Sequence, residues 1–183
     1  MRFILTAAVI AAILVILRFT QGLRKKGSIT EKAEKYVKLL FLACYIIAVL
    51  VITLGTRSFD NETHIGLNPI RTYQFAIHSI IQGWKAGGWA EALKHLGWYK
   101  GQFTSVGLNV LLFIPLGYLV PGVMAQIDRW WKVLLLGFAA SLAIEATQLI
   151  THLGWFDTSD LLHNTLGALM GYGLYKLVLR RDD

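Results

Sequence analysis

The chain has 183 residues, of which 55% are hydrophobic and only 16% are charged, against about 25% charged in an ordinary soluble domain. So short a chain cannot bury that much apolar surface in one water-soluble core, so the composition excludes an ordinary soluble domain and favours a membrane domain. The net charge of +7 is expected to reflect membrane topology, because the basic residues form no continuous stripe of the kind that binds nucleic acid.

Five apolar stretches are long enough to cross a bilayer, which takes about 20 residues at a rise of 1.5 Å each. They are Phe3–Phe19, Val37–Leu54, Val106–Ala125, Trp131–Ile150 and Leu161–Leu179. Bulky and basic residues follow the first stretch instead of a small-residue cleavage site, so we expect a retained span and not a signal peptide. The sequence therefore predicts an all-α, polytopic membrane helix bundle with about five transmembrane helices, formed by a single domain over residues 1–183.

Lysine and arginine are unevenly distributed among the loops. The loop Gln21–Tyr36 carries Arg24, Lys25, Lys26, Lys32 and Lys35. Cytoplasmic loops are enriched in these residues, whereas the loop Thr151–Ser159 contains none. We therefore expect a multi-pass plasma-membrane protein with its N-terminus outside and its C-terminus in the cytoplasm.

The long outer segment Gly55–Thr104 has a helical pattern of its own. Apolar residues recur at helical spacing on both sides of Gly87-Gly88, at Ile77, Ile80, Ile81 and Trp84 and again at Trp89, Leu93 and Leu96. This pattern predicts two short amphipathic helices at the outer membrane surface, where tryptophan is favoured. A small extracellular cap packed on the bundle is the alternative.

Polar and acidic residues interrupt the last three predicted spans near their outer ends. A carboxylate in a membrane-spanning helix costs roughly 2.5–3.5 kcal/mol on insertion scales, so we expect Glu145 to serve a function or a buried network. Gln148 shares its helix face, and Asn109 lies about one turn inside the third span. One face of the fifth span carries Asp160, His163, Asn164, Gly167 and Gly171.

Simpler structural roles are also open for some of these residues. Ser159 or Asp160 would make a suitable N-cap for the fifth helix, and His163 could equally be a core or interfacial histidine. Gly167 and Gly171 predict a packing face for another helix. No HExxH or histidine-rich spacing occurs in the sequence, so we predict no metal and no cofactor.

These residues also resemble the signatures of the VanZ-like family. The first signature is matched by Asn109, Phe113, Pro115 and Gly117, followed by Pro121. The second is matched by Glu145, Gln148, Asp157, Asp160, Asn164, Gly167 and Gly171. Asn68-Pro69-Ile70-Arg71 is similar to a short family motif, and the resemblance covers about Thr53 to Leu174. The chain departs from the pattern at Gly154, where members often carry arginine, and at Ser159, where they often carry an acidic residue.

The resemblance implies a bacterial plasma-membrane protein, and the family's namesake is linked to low-level resistance to teicoplanin, a lipoglycopeptide antibiotic. Besides membrane lipids, the expected partner is a lipid-linked cell-envelope precursor or a lipoglycopeptide, with no nucleic acid. It would bind in an outer-leaflet pocket formed by Asn109, Glu145, Gln148, Asp157, Asp160, His163 and Asn164. For an anionic phosphate ligand, Arg57, Arg71 or a metal would be needed to offset the acids.

Two other functions are also compatible with the sequence. In the first, the chain is an intramembrane hydrolase or group transferase that uses Glu145, Asp157 and Asp160 on a lipid-linked substrate. In the second, it is a structural bundle without a ligand of its own, and the acids form caps and satisfied networks.

Overall fold

The computed structural model describes Gly22, Gly27 and residues 30–55, 57, 59–62 and 64–179. Its helices are α1 (Glu31–Leu50, continued by the π-helical Val51–Gly55), α2 (Arg71–Trp98), α3 (Lys100–Val123), α4 (Trp130–Thr151) and α5 (Thr158–Leu179). Two short strands, β1 (Ile65–Gly66) and β2 (Phe156–Asp157), pair in parallel. The predicted all-helical class is therefore correct for the described residues, apart from this one small pairing.

Three helical segments of the described chain are long and apolar enough to cross a membrane, namely Glu31–Gly55, Lys100–Val123 and Trp130–Thr151. They correspond to the second, third and fourth predicted spans. The predicted fifth span, Leu161–Leu179, lies within helix α5, whose polar face makes it less apolar than the other three. The predicted first span, Phe3–Phe19, lies outside the described residues.

Helices α3 and α5 run parallel and touch through their backbones. A Cβ atom at Gly167 would collide with the carbonyl oxygen of Val110, and one at Gly171 would collide with the carbonyl oxygen of Ile114. Only glycine allows so close an approach, as in the small-residue interfaces of membrane helices. The prediction that Gly167 and Gly171 form a helix-packing face is confirmed.

The other two bundle helices run antiparallel to this pair. On α1, the Tyr45 hydroxyl donates a buried hydrogen bond of 2.7 Å to the carbonyl of Leu112 on α3. Between α4 and α5, the Asn164 amide donates to the hydroxyl of Ser141 at 2.9 Å. One end of the bundle therefore gathers the last turns of α1 and α4 and the first turns of α3 and α5. We call it the polar end, and its residues include Thr53, Asn109, Gln148 and Asp160.

Helix α2 is a hairpin of two helical halves. Gly87 and Gly88 leave helical geometry, and Gly88 has a φ of +71°, a conformation that glycine adopts without strain. Ser79 and His95, which a straight helix would hold about 24 Å apart, are in hydrogen-bond contact. The predicted division of this segment into two helices at Gly87-Gly88 is confirmed.

Candidate functional site

A cavity of about 300 Å³ opens at the polar end, between the end of α1 and the first turns of α3 and α5. Its polar lining consists of Thr53, Arg57, Ser105, Asn109, Asp157 and Asp160. Trp155 lines it as well, together with three apolar side chains. The structure thus brings Arg57, Asn109, Asp157 and Asp160, all predicted as ligand-binding residues, to one cavity.

Asn109 and Asp160 are joined directly across the two parallel helices. The Asn109 side-chain amide donates a hydrogen bond of 2.6 Å to one carboxylate oxygen of Asp160. The contacts of Gly167 and Gly171 with α3 lie about two and three turns beyond Asp160 on α5, and they fix the spacing of the two helices. Backbone packing therefore positions this pair, and the bond leaves the second oxygen of Asp160 available as an acceptor.

Asp157 is the residue that caps helix α5. Its carboxylate accepts a hydrogen bond of 2.8 Å from the backbone N–H of Ser159, the usual contact of an N-cap side chain. The expectation that Ser159 or Asp160 would be the cap is wrong, because the chain leaves β2 at Asp157 and becomes helical at Thr158. Asp160 lies one turn into the helix and bonds Asn109 instead.

Glu145 and Gln148 do not line the cavity but hydrogen-bond to residues that do. Each is only 2% exposed. The Glu145 carboxylate accepts a hydrogen bond of 2.9 Å from the backbone N–H of Asp157, and the Gln148 amide donates one of 2.9 Å to the carbonyl of Thr53. These contacts tie α4 to the cavity-lining loop and to the end of α1, and neither side chain lines the cavity itself.

Arg57 supplies the positive charge at this end. It lies close enough to interact electrostatically with the carboxylates of Glu145 and Asp160. Its Nε atom is buried and has no hydrogen-bond partner within the described part of the chain. Among the described residues, the site therefore combines several carboxylates with one guanidinium that has unused donor capacity.

The segment that follows α1 is tied across the loop between α4 and α5. The backbone N–H of Asp60 donates to the carbonyl of His152 at 2.9 Å, and that of Phe156 donates to the carbonyl of His64 at 3.1 Å. The ring of His64 also lies 4.3 Å from that of Trp155, centroid to centroid. With the β1–β2 pairing, these bonds hold Trp155 and Asp157 at the cavity.

Two predicted site residues lie on α5 outside the cavity. The ring Nε2 of His163 is 2.7 Å from the Tyr73 hydroxyl of α2, and both His163 and Asn164 are buried. Asn164 binds Ser141 of α4. These residues connect α5 to its neighbours, which matches the structural role left open for His163.

Arg71 is also separate from the cavity. It begins α2, its guanidinium lies 5.5 Å from the centre of the Phe75 ring, and it lines a different surface cleft of about 720 Å³. Conversely, three residues line the cavity that were not predicted from the sequence, namely Thr53, Ser105 and Trp155. Of these, only the tryptophan beside Asp157 gave a signal, since an aromatic residue next to a polar site is often a binding residue.

The cavity holds hydrogen-bond donors and acceptors side by side. Within the described ranges, no group of three or more His, Cys, Asp and Glu side chains is arranged to hold a metal ion. What the geometry offers is carboxylate acceptors, amide and guanidinium donors and one aromatic wall, which together suit a polar group with both donors and acceptors.

Comparison with known proteins gives one match. The family model described as VanZ/LLP1 matches residues 41–179, a region that includes every residue lining the cavity. No curated protein and no solved structure matches the chain. Because the match covers well over half of the sequence, the chain belongs to the VanZ/LLP1 family.

Proposed function

We propose that this chain is a bacterial plasma-membrane protein that binds the polar head of a lipid-linked cell-envelope intermediate, or of a lipoglycopeptide, in the cavity at its polar end. The observation that carries the proposal is the convergence of Arg57, Asn109, Asp157 and Asp160 on one cavity. These residues come from separate parts of the chain. Placing charged side chains beside apolar helices is costly in free energy. Such residues are therefore expected only where they have a partner or serve a function.

In the proposed topology the five apolar stretches predicted from the sequence span the membrane and the α2 hairpin does not. The polar end faces outside, the N-terminus is outside and the C-terminus is cytoplasmic. The distribution of basic residues supports this orientation, because cytoplasmic ends are rich in lysine and arginine. The opposite end of the bundle carries Lys32, Lys35, Lys38, Arg129, Lys132 and Lys176. The loop Thr151–Ser159 at the polar end carries none.

In the same proposal the α2 hairpin lies in the outer membrane interface and contacts membrane lipids. Its large apolar side chains support this, since Trp84, Trp89 and Leu93 are 54%, 74% and 64% exposed. Lys85 and Lys94 adjoin them in sequence, the usual mixture of a helix at a lipid–water boundary. There the hairpin would guide a lipid-linked ligand towards the cavity.

Charge balance defines how such a ligand would bind. The guanidinium of Arg57 would donate hydrogen bonds to oxygen atoms of the polar head, while Asp157 and Asp160 would accept hydrogen bonds from its hydroxyl or amino groups. A ligand of this kind belongs to the cell envelope. Its capture would connect the chain to the low-level teicoplanin resistance that is linked to the family's namesake.

The adjacent carboxylates support a second candidate function. Asp157 and Asp160 line the same cavity, and Glu145 lies directly behind Asp157. Carboxylates so arranged can act as a general acid and base. The candidate reaction is hydrolysis or group transfer on the same lipid-linked substrate.

The test is equilibrium binding of a radiolabelled hexosyl polyprenyl phosphate to the purified protein in lipid nanodiscs. We expect saturable binding that Asp160→Asn weakens about tenfold or more, since hydrogen bonds to charged groups contribute about 1.5–3 kcal/mol. Asp128→Asn, at the opposite end, is the matched control and should leave binding unchanged. Chromatography of the bound material separates the two functions, because only an enzyme converts the probe. If the protein neither binds nor converts this probe and does not bind teicoplanin either, both functions are contradicted and a structural bundle remains.

A further inference from the structure

We propose that the head group held in the cavity is a single sugar ring, which packs on Trp155 and hydrogen-bonds to Asp157, Asp160 and Arg57. This inference rests on the proposed function and specifies which part of the ligand enters the site. A lipid-linked glycan and a lipoglycopeptide both carry a sugar, so one recognition chemistry would serve either source.

The balance of donors and acceptors selects a polyol. The carboxylates of Asp157 and Asp160 only accept hydrogen bonds, whereas Arg57 only donates them. A simple phosphate has acceptors alone and would face two carboxylates, and a simple ammonium has donors alone and would face the guanidinium. Neighbouring sugar hydroxyls do both, so one ring can satisfy the acids and the arginine together.

The unpartnered atom of Arg57 supports this choice. Its Nε is buried without a hydrogen-bond partner in the portion of the chain that the structure describes, and such an atom is costly unless a ligand or water satisfies it. Asp160 lines the same cavity, and one of its two carboxylate oxygens accepts from Asn109. The cavity lining thus includes one residue that donates and one that accepts, as two hydroxyls of one ring require.

Trp155 provides the surface that a sugar ring prefers. It lines the cavity and the residue is 58% exposed, while the ring of His64 lies 4.3 Å from its ring. The face of an indole carries partial negative charge, and the C–H bonds on one side of a pyranose ring carry partial positive charge. A sugar packed there would use its apolar face on the indole and its hydroxyls on the charged residues.

The cavity volume is sufficient for one sugar ring. At about 300 Å³, it lies at the lower limit of small-molecule sites, which run from about 300 to 1,000 Å³. The lipid part would stay with the membrane.

The experiment compares three probes on the full-length protein in lipid nanodiscs: a polyprenyl phosphate, the same lipid carrying one hexose, and teicoplanin. The variants are Trp155→Ala, Trp155→Phe and the control Trp131→Ala, which changes an exposed tryptophan at the opposite end. We expect the hexosyl lipid to bind more tightly than the bare lipid. Trp155→Ala should weaken binding about three- to tenfold, Trp155→Phe should weaken it less, and Trp131→Ala should not change it.

The outcomes separate this inference from the function on which it rests. Equal binding of the two lipids, with loss in Asp160→Asn, would overturn the sugar inference and leave the proposed function standing. No binding of any probe would overturn both. If teicoplanin is the one probe that binds, and Trp155→Ala weakens its binding, the sugar inference is supported and the lipoglycopeptide is the source of the sugar. A circular-dichroism melt of each variant shows whether it remains folded.

Discussion

The carboxylate of Glu145 accepts a hydrogen bond of 2.9 Å from the backbone N–H of Asp157, and this contact defines what each residue does. Glu145 is buried in α4 and does not line the cavity, whereas Asp157 lines it and caps α5. The glutamate therefore acts as a support for the loop that holds the aspartate. Its buried position in an apolar helix follows from that task.

Replacing Glu145 tests this supporting role. Glu145→Gln retains an oxygen that can accept from Asp157, so the fold and the binding of the hexosyl lipid should change little. Glu145→Ala leaves the buried N–H unsatisfied and should reduce the free energy of unfolding by about 1–3 kcal/mol. Denaturant unfolding of the purified variants in detergent measures the difference, and equal stability of the two variants would contradict the role.

Exchanging Asn109 and Asp160 tests the bond between α3 and α5. Asn109→Asp places two carboxylates at hydrogen-bond distance and should cost about 1.5–3 kcal/mol. The double variant Asn109→Asp, Asp160→Asn restores one amide and one carboxylate and should recover much of that stability. A double-mutant cycle of unfolding free energies gives the coupling. Additive effects of the two substitutions would show that the residues do not interact.

Glycine substitutions on α5 test the backbone contact. Gly171→Ala would place a Cβ atom against the carbonyl of Ile114 and should destabilise the protein by about 1–3 kcal/mol, the usual cost of overpacking. Gly173→Ala is a close control, because no described atom of the chain lies within 4 Å of a Cβ at that position. Thermal unfolding of both variants measures the contrast, and equal melting temperatures would argue against the close packing of α3 and α5.

Tyr73→Phe tests the attachment of the α2 hairpin. The substitution removes the hydroxyl that lies 2.7 Å from Nε2 of His163, a contact expected to contribute about 0.5–1.5 kcal/mol. Amides in the first turns of α2 should then exchange with deuterium faster, while those of α1 should not. Tyr36→Phe, at an exposed position on α1, is the control. Unchanged exchange in α2 would mean that other contacts hold the hairpin.

Much of the architecture follows from local sequence patterns. Apolar runs of membrane-spanning length predicted the helices, because their length and composition are themselves the cause of the structure. The break at Gly87-Gly88 and the glycine face of α5 were likewise predictable, since glycine spacing acts locally. Asn109 and Asp160 also carried a signal, as polar residues within apolar helices.

The remaining features depend on how distant segments meet. The bonds from Asp60 to His152 and from Phe156 to His64 join backbone groups, so no side-chain pattern indicates them. The capping role of Asp157 depends on where β2 ends, and this pairing is not visible in the loop sequence. Arg57 and Arg71 looked equivalent as cations, and only the path of the chain after α1 places Arg57 alone at the cavity.

Photo-crosslinking tests most directly the claim that the ligand occupies this cavity. Benzoylphenylalanine would replace Leu108, which lines the cavity, or Leu135, which is exposed on α4 outside it. On irradiation in nanodiscs with the hexosyl polyprenyl phosphate, we expect crosslinking from position 108 alone and its loss when Asp160→Asn is added. Equal crosslinking from both positions, or crosslinking at 108 that persists in Asp160→Asn, would contradict the account.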